Sequence, residues 1–221
     1  MTRRTGGKTI CPDAGKLSKA QTTVRKMNNP LLGCGIVGKE IVKMGLLGKL
    51  FGRKVGGTMA IGGLKWRILA IDSAKNSALL ISREPVTNAM FHEECTDLYE
   101  SHGQLEWENC TLRAYLNGRF YEKTFSQKEK EAILTTTIRD KGCSVTQDRL
   151  FLLNRDEAER YFKNDDDRKT TGRMWWLRDA SSCPWPSAMT VLTDGTIHPN
   201  GNVADEPFGV RPAMRVDLDR L

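Results

Sequence analysis

The sequence has no Cys-x-x-Cys pair. Its six cysteines, Cys11, Cys34, Cys95, Cys110, Cys143 and Cys183, are scattered, which excludes zinc-ribbon and thioredoxin-like spacing and leaves them expected as free thiols. An apolar leader is missing too, because the first residues run into Lys-, Gly- and Thr-rich sequence; Leu31-Leu32-Gly33-Cys34 follows Lys26, Asn28, Asn29 and Pro30 where a lipoprotein signal would need an apolar run. With no long hydrophobic stretch either, the expected location is the cytoplasm by default, or export by another route. No phosphate-cradling loop ending in Gly-Lys-Ser or Gly-Lys-Thr occurs, and Gly33-x-Gly35-x-x-Gly38 has no convincing strand before it. Histidines number only three, and the sole close Cys/His pair, His92 with Cys95, has no third group in sequence to orient an imidazole. Enzymatic chemistry is therefore not expected, the alternative being a cryptic Cys or carboxylate site, and neither is a cofactor or a metal.

What is present is an ordinary globular balance of 39% hydrophobic and 28% charged residues, enough for a packed core. The net charge of +7 is unevenly placed. Residues 1–65 hold thirteen Lys/Arg against two acidic residues, a net of +11, so the rest of the chain carries 21 basic against 25 acidic, a net of −4. A mildly acidic body does not suit a nucleic-acid interface, which needs a basic face to neutralise phosphates. The basic arm does suit a polyanion, an anionic membrane surface or a partner protein.

Composition divides the chain at about residue 52. Residues 1–35 are poor in large apolar groups and are expected to form a loose arm. Residues 38–54 interleave Ile41, Val42, Leu46, Leu50 and Phe51 with Lys39, Lys43, Lys49, Arg53 and Lys54, the pattern of a basic amphipathic helix. Four glycines within it each cost about 1 kcal/mol in helix stability. From residue 53 onward the chain reads as one folded domain, residues 53–221.

Gly pairs between β-prone runs over 54–71, a polar turn at 72–77 and the apolar run 78–82 predict three opening antiparallel strands. Leu112, Tyr115, Leu116 and Phe120 fall at helical spacing, with Asn109 as the expected cap. Ser126 and Glu129 form a capping-box pattern that starts a second helix. Residues 149–153 read as a strand, Asn154 as the cap of a short helix over 155–162, and Asp165-Asp166-Asp167 as a solvated loop lacking the Gly and Glu of a calcium-binding loop. Strands are expected at 175–178, 188–192, 196–197 and 210–218, with a turn at Asp194-Gly195 and an irregular Pro- and Ser-rich loop over 179–187.

The order Trp66-Arg67-Ile68-Leu69, Leu79-Leu80-Ile81-Ser82, residues 107–120, Phe125-Ser126 with Glu129, Leu150-Phe151-Leu152-Leu153, Trp175-Trp176-Leu177-Arg178 and Gly209-Val210-Arg211-Pro212-Ala213 resembles a bacterial domain family of unassigned function. Its fold is akin to those of C-type lectins and formylglycine-generating enzymes. The resemblance spans residues 54–218 and rests most on the paired tryptophans and the closing Gly-Val-Arg-Pro-Ala. It implies an α+β, C-type-lectin-like fold, with small antiparallel sheets flanked by two helices and a ligand-facing surface after the Trp-Trp strand. Some relatives are variable proteins of diversity-generating retroelements, whose ligand surface is mutated. The chain departs from two branches. His198-Pro199-Asn200 stands where a calcium-dependent sugar lectin would show Glu-Pro-Asn or Gln-Pro-Asp, and Cys183 has no second cysteine nearby to make a sulfatase-modifying pair.

Together these readings predict a non-catalytic ligand-binding module. Its expected surface comprises Trp176, Arg178, Asp179, Ser181, Ser182, Trp185, Ser187, His198, Asn200 and Asn202, facing an unidentified protein or small ligand. Trp185, held between Pro184 and Pro186, either offers a large contact area at low entropy cost or folds back as a plug under the loop. Arg211 beside Pro212 is expected in a supporting role, paired with an interior acid. The competing expectation is an interaction protein acting through the basic arm.

Overall fold

The structure, a computed structural model, describes residues 53–93, 95, 105–141, 143–181 and 185–221. The basic arm over 1–52, with all but the last two residues of the expected amphipathic stretch, lies outside the described residues, as do Ser182 and Cys183. No helix among the described residues is long and apolar enough to cross a membrane.

The opening hairpin forms as the glycines dictate. β1 (Thr58–Ile61) pairs with β2 (Leu64–Asp72) across Gly62 and Gly63, both at positive φ that side chains other than Gly rarely adopt. β3 (Ser77–Ser82) follows antiparallel to β2, and its six residues are all buried, as expected of a continuous apolar run covered on both faces. β4 (Thr87–Ala89) then starts a second sheet.

The first helical stretch begins with a 3₁₀ turn, Trp107–Asn109, and continues as α1 (Thr111–Tyr115), a π turn over Leu116–Phe120, and α2 (Tyr121–Thr124). Its cap is Cys110, whose Sγ accepts from the Arg113 amide, rather than Asn109, which sits inside the preceding turn. α3 (Gln127–Ala132) carries the expected box: Ser126 Oγ accepts from the Glu129 amide, and the Glu129 carboxylate accepts from the Ser126 amide. The same carboxylate accepts from the Gly62 amide at 2.7 Å, which ties the helix to the hairpin and holds its pKa below the usual carboxylate range.

Short strands β5 (Ile133–Leu134), β6 (Thr136–Ile138) and β7 (Thr146–Asp148) lead to residues 149–153. This run is not the expected strand. Only Phe151 bridges to another strand, at Ala213, while Leu150, Phe151, Leu152 and Leu153 are all buried in an extended connection. α4 (Arg155–Tyr161) is capped by Asn154, with Glu157 closing a second capping box. The acidic triplet is a helical turn rather than a loop: α5 (Asp165–Arg168) is capped by Asn164, and Asp167 is held by Arg67 through two 2.7 Å bonds.

β8 (Trp175–Ala180), β9 (Ser187–Val191), β10 (Ile197–Val203), β11 (Phe208–Val210) and β12 (Ala213–Asp217) complete an α+β architecture. Strand order is β1-β2-β3-β12-β5 in one sheet, β10-β9-β8-β11-β4 in the second, and β6-β7 in the third; every pairing is antiparallel except β11 with β8. Side chains of both large sheets share one core, with Trp66, Phe91, Phe151, Trp175 and Trp176 at its centre.

The closing Gly-Val-Arg-Pro-Ala is the joint between those sheets. β11 belongs to one and β12 to the other, and Arg211-Pro212 carries the chain across. Gly209 leaves no room for a Cβ, which would meet the Met174 carbonyl at 2.6 Å. Arg211 is buried without the expected acid. Its Nε donates to the Ser82 carbonyl at 3.1 Å, its Nη1 to the Arg168 carbonyl at 3.2 Å, and its guanidinium lies 4.6 Å from the Trp175 ring centre. Burial pushes its pKa down to about 9, which still leaves it a cation at neutral pH.

Candidate functional site

One feature of the second sheet singles out its β8-β9-β10 region. On the β8 side, Trp176 pairs with Thr190 and Ala180 with Ala188, so Leu177, Arg178 and Asp179 together face the single Met189. On the β10 side, His198 pairs with Thr190 and Asn202 with Ala188, so Pro199, Asn200 and Gly201 face the same Met189. Both neighbours of β9 therefore bulge at one level. Bulges bend a strand and re-aim its side chains, and they concentrate beside functional sites. Gly201 is required there: its φ is +65°, and a Cβ would lie 2.2 Å from the Ala188 carbonyl oxygen.

Around this double bulge stand most of the residues expected to bind. Trp185 is 58% exposed, while the adjoining Pro186 is buried and anchors its loop. The Ser181 amide donates to the Ser187 carbonyl at 3.0 Å, and the two hydroxyls touch, which closes the base of the loop. Asn200 is exposed at the crest of the β10 bulge. Asn202 is half-buried and donates through Nδ2 to Thr190 Oγ1 at 2.7 Å. His198 is partly exposed, yet its Nδ1 is buried with no hydrogen-bond partner among the described residues. Arg67 Nε, Ser82 Oγ and His92 Nδ1 are in the same state elsewhere in the fold.

Three expected ligand residues are instead part of the frame. Trp176 is fully buried, its Nε1 donates to the Ala89 carbonyl at 2.8 Å, and its ring meets Phe208 at 5.0 Å and Phe91 at 5.6 Å between centroids. Arg178 is buried as well. It grips Asp140 by two bonds of 2.6 and 2.7 Å, donates to the Leu152 carbonyl at 2.6 Å and pairs with Glu157. Burial alone would push its pKa down, but the bonds and charges of Asp140 and Glu157 outweigh that and push it up. Ser187 is buried and donates to the Trp185 carbonyl at 2.9 Å, so it props the loop from beneath.

Asp179, next to Arg178, is half-buried and accepts from the Arg155 amide at 2.7 Å. Desolvation dominates its electrostatics and raises its pKa to about 6, against the lowering pull of that amide and of Arg178. The sign of its contribution to stability follows. A carboxyl whose folded pKa lies above its unfolded value favours the fold while protonated, so that contribution is full below about pH 4 and is lost as pH rises through about 6. Asp179→Asn, whose amide oxygen can still accept from Arg155, should therefore be more stable than the parent above pH 6, by on the order of 1 kcal/mol, and the gap should close towards pH 4. Urea melts at pH 4 and pH 7.5 check this; a gap equal at both would rule it out.

The Cys143 thiol is pushed up by burial and by the charges of Glu106, Asp140 and Asp179, the opposite of what activates a nucleophile. Cys95, Cys110 and Cys143 are all free thiols. No group of three His, Cys, Asp or Glu side chains among the described residues is placed to hold a metal ion. A wider cleft of about 580 Å³, lined by Tyr121, Lys130, Arg149 and neighbours, involves none of the expected site residues. Its cations are already engaged, Lys130 with Glu122 and Arg149 with the Tyr121 hydroxyl.

Residues 76–218, more than half of the chain, match the family described as Domain of unknown function (DUF6273). The matched range opens in the turn between β2 and β3, so the β1-β2 hairpin lies outside it although β2 pairs with β3 along most of its length. No curated protein and no solved structure matches the chain.

Proposed function

The chain belongs to the DUF6273 family of domains of unknown function, and from that premise we propose that residues 53–221 are a non-catalytic ligand-binding module with a C-type-lectin-like fold. Its recognition surface is built on the double bulge, with Trp185 as the anchor and Asp179, Ser181, His198, Asn200 and Asn202 around it. The observation that carries this reading is the placement of Trp185. Four of the five tryptophans, Trp66, Trp107, Trp175 and Trp176, are buried in the core, while the fifth stands 58% exposed on a loop whose base is closed by hydrogen bonds. An exposed indole offers a large contact area, and one on a loop closed at its base binds with little further loss of entropy.

The ligand follows from a comparison of two proteins. The full chain and Trp185→Ala are screened in parallel against a glycan array and a display library of folded protein domains. The expected result is at least one partner whose affinity falls more than about tenfold, on the order of 1.4 kcal/mol, in the variant. Stability should change by less than about 0.5 kcal/mol, as for an exposed side chain. Partners bound equally by both proteins would sink the reading. Binding that survives Trp185→Ala and vanishes in high salt would instead assign function to the basic arm, with its net charge of +8 over residues 1–52.

A place among the variable proteins of diversity-generating retroelements fits the same surface. The genomic sign would be a neighbouring reverse transcriptase with a near-copy of the segment coding for residues 175–215. Differences between the copies should then fall on exposed positions such as Trp185 and Asn200, and spare Trp176 and Arg178, which the core cannot give up.

A further inference from the structure

A second cleft, of about 250 Å³, lies apart from the Trp185 loop, where β6, β12 and the start of α4 meet. Three of its lining residues are arginines: Arg139, Arg178 and Arg215. Arg178 is fully committed to Asp140, Glu157 and the Leu152 carbonyl. Arg215 is not. It projects from the middle of β12, between the paired Leu79 and Leu134, is partly buried, and makes no hydrogen bond or ion pair with the described residues. Arg139, at the end of β6, is exposed and equally without an anionic partner among the described residues.

Arg215 is partly buried and has no acceptor among the described residues, so an incoming anion would give it hydrogen bonds that the fold does not supply. Arg178 is already neutralised by Asp140 and Glu157, so the cations left to an anion in the cleft are Arg139 and Arg215. The cleft floor includes Leu79, Ile138 and Phe151, which offer apolar contact to a short hydrocarbon.

We propose that this cleft is a binding site for a small organic monocarboxylate, its carboxylate held by Arg215 and Arg139 and its short tail lying over Leu79 and Phe151. A forked guanidinium matches the two carboxylate oxygens, and the apolar floor favours an organic tail over a bare inorganic anion. The site is independent of the Trp185 surface, so either can fail without the other.

Calorimetric titration of the full chain with butyrate tests it, with inorganic phosphate and chloride at matched ionic strength as comparisons. The expected result is saturable binding of butyrate at one site per chain, weaker by about tenfold or more in Arg215→Gln and by only a few-fold in Arg139→Gln. No saturable binding, an unchanged affinity in Arg215→Gln, or equal binding of phosphate or chloride overturns the proposal. Should Arg215→Gln fold poorly, the guanidinium ¹⁵N resonance of Arg215 in the unaltered chain decides it. A shift that saturates with butyrate supports the site, and a resonance that does not move refutes it.

Discussion

Truncating Trp176 to Ala is expected to lower the unfolding free energy by about 3–5 kcal/mol, the cost of deleting a large aromatic from a close-packed core. The side chain is fully buried and makes edge-to-face contacts with Phe91 and Phe208, so its removal empties a volume that three separate chain segments define. Those segments are the stretch after β4, strand β8 and strand β11, and they cannot all collapse inward together. The lost indole N–H also leaves the Ala89 carbonyl without its 2.8 Å donor. A domain's whole stability is typically about 5–15 kcal/mol, so the variant should be close to unfolding in water at 37 °C. Trp176→Phe, which keeps most of the volume, should lie between the two. Guanidinium melts give the comparison, and a loss below about 1 kcal/mol in Trp176→Ala would mean that the residue is not the core element described here. Set beside Trp185→Ala, the pair separates two indoles nine residues apart, one that holds the fold and one that faces outward.

That separation is also where sequence reasoning reached its limit. Local signals carried far: Gly62-Gly63 and Asp194-Gly195 marked turns, Ser126 with Glu129 marked a helix start, and the proline-flanked Trp185 is exposed rather than folded back under its loop. What was not legible depended on distant partners. Trp176 and Arg178 sit in a strand that alternation alone gives two faces, and both faces turn out to be covered. Their partners Ala89, Phe91, Asp140 and Glu157 come from elsewhere in the chain. Asp165-Asp166-Asp167 reads as solvated until Arg67, a hundred residues away, fixes Asp167 from the β2 side. The run at 149–153 has strand composition, but Asn117 rather than a neighbouring strand takes its first amides and the Leu150 carbonyl. Cys110 escaped notice as a cap because sulfur is a weak acceptor, outside the Ser, Thr, Asp and Asn that usually fill the role.

Replacing Arg178 is expected to cost about as much as replacing Trp176, by a different route. Arg178→Met keeps much of the apolar stem but leaves Asp140 and Glu157 facing one another without the cation between them, and removes the donor to the Leu152 carbonyl. Breaking a buried ion pair by removing one partner costs about 3–5 kcal/mol, and the greater exposure of Glu157 places this case towards the lower end. Arg178→Lys should recover only part of the loss, because one ammonium cannot span both Asp140 oxygens and also reach Glu157 and Leu152. Adding Asp140→Asn to Arg178→Met should restore part of the stability lost in the single variant, since one of the two uncompensated charges is gone while Glu157 keeps the other; a double variant worse by the sum of the two singles would mean that the pair is not coupled. Acid supplies the second signature. Burial pushes the Asp140 carboxyl up, but the Arg178 bonds and charge, with Asn154, push it further down, so its net pKa lies below the usual carboxylate range. Its contribution is accordingly present above the unfolded value of about 4 and is lost as pH falls through the folded value. The difference in stability between the parent chain and Arg178→Met should thus be largest near neutrality and shrink steadily below pH 4, a trend opposite in sign to that of Asp179 one residue along the same strand.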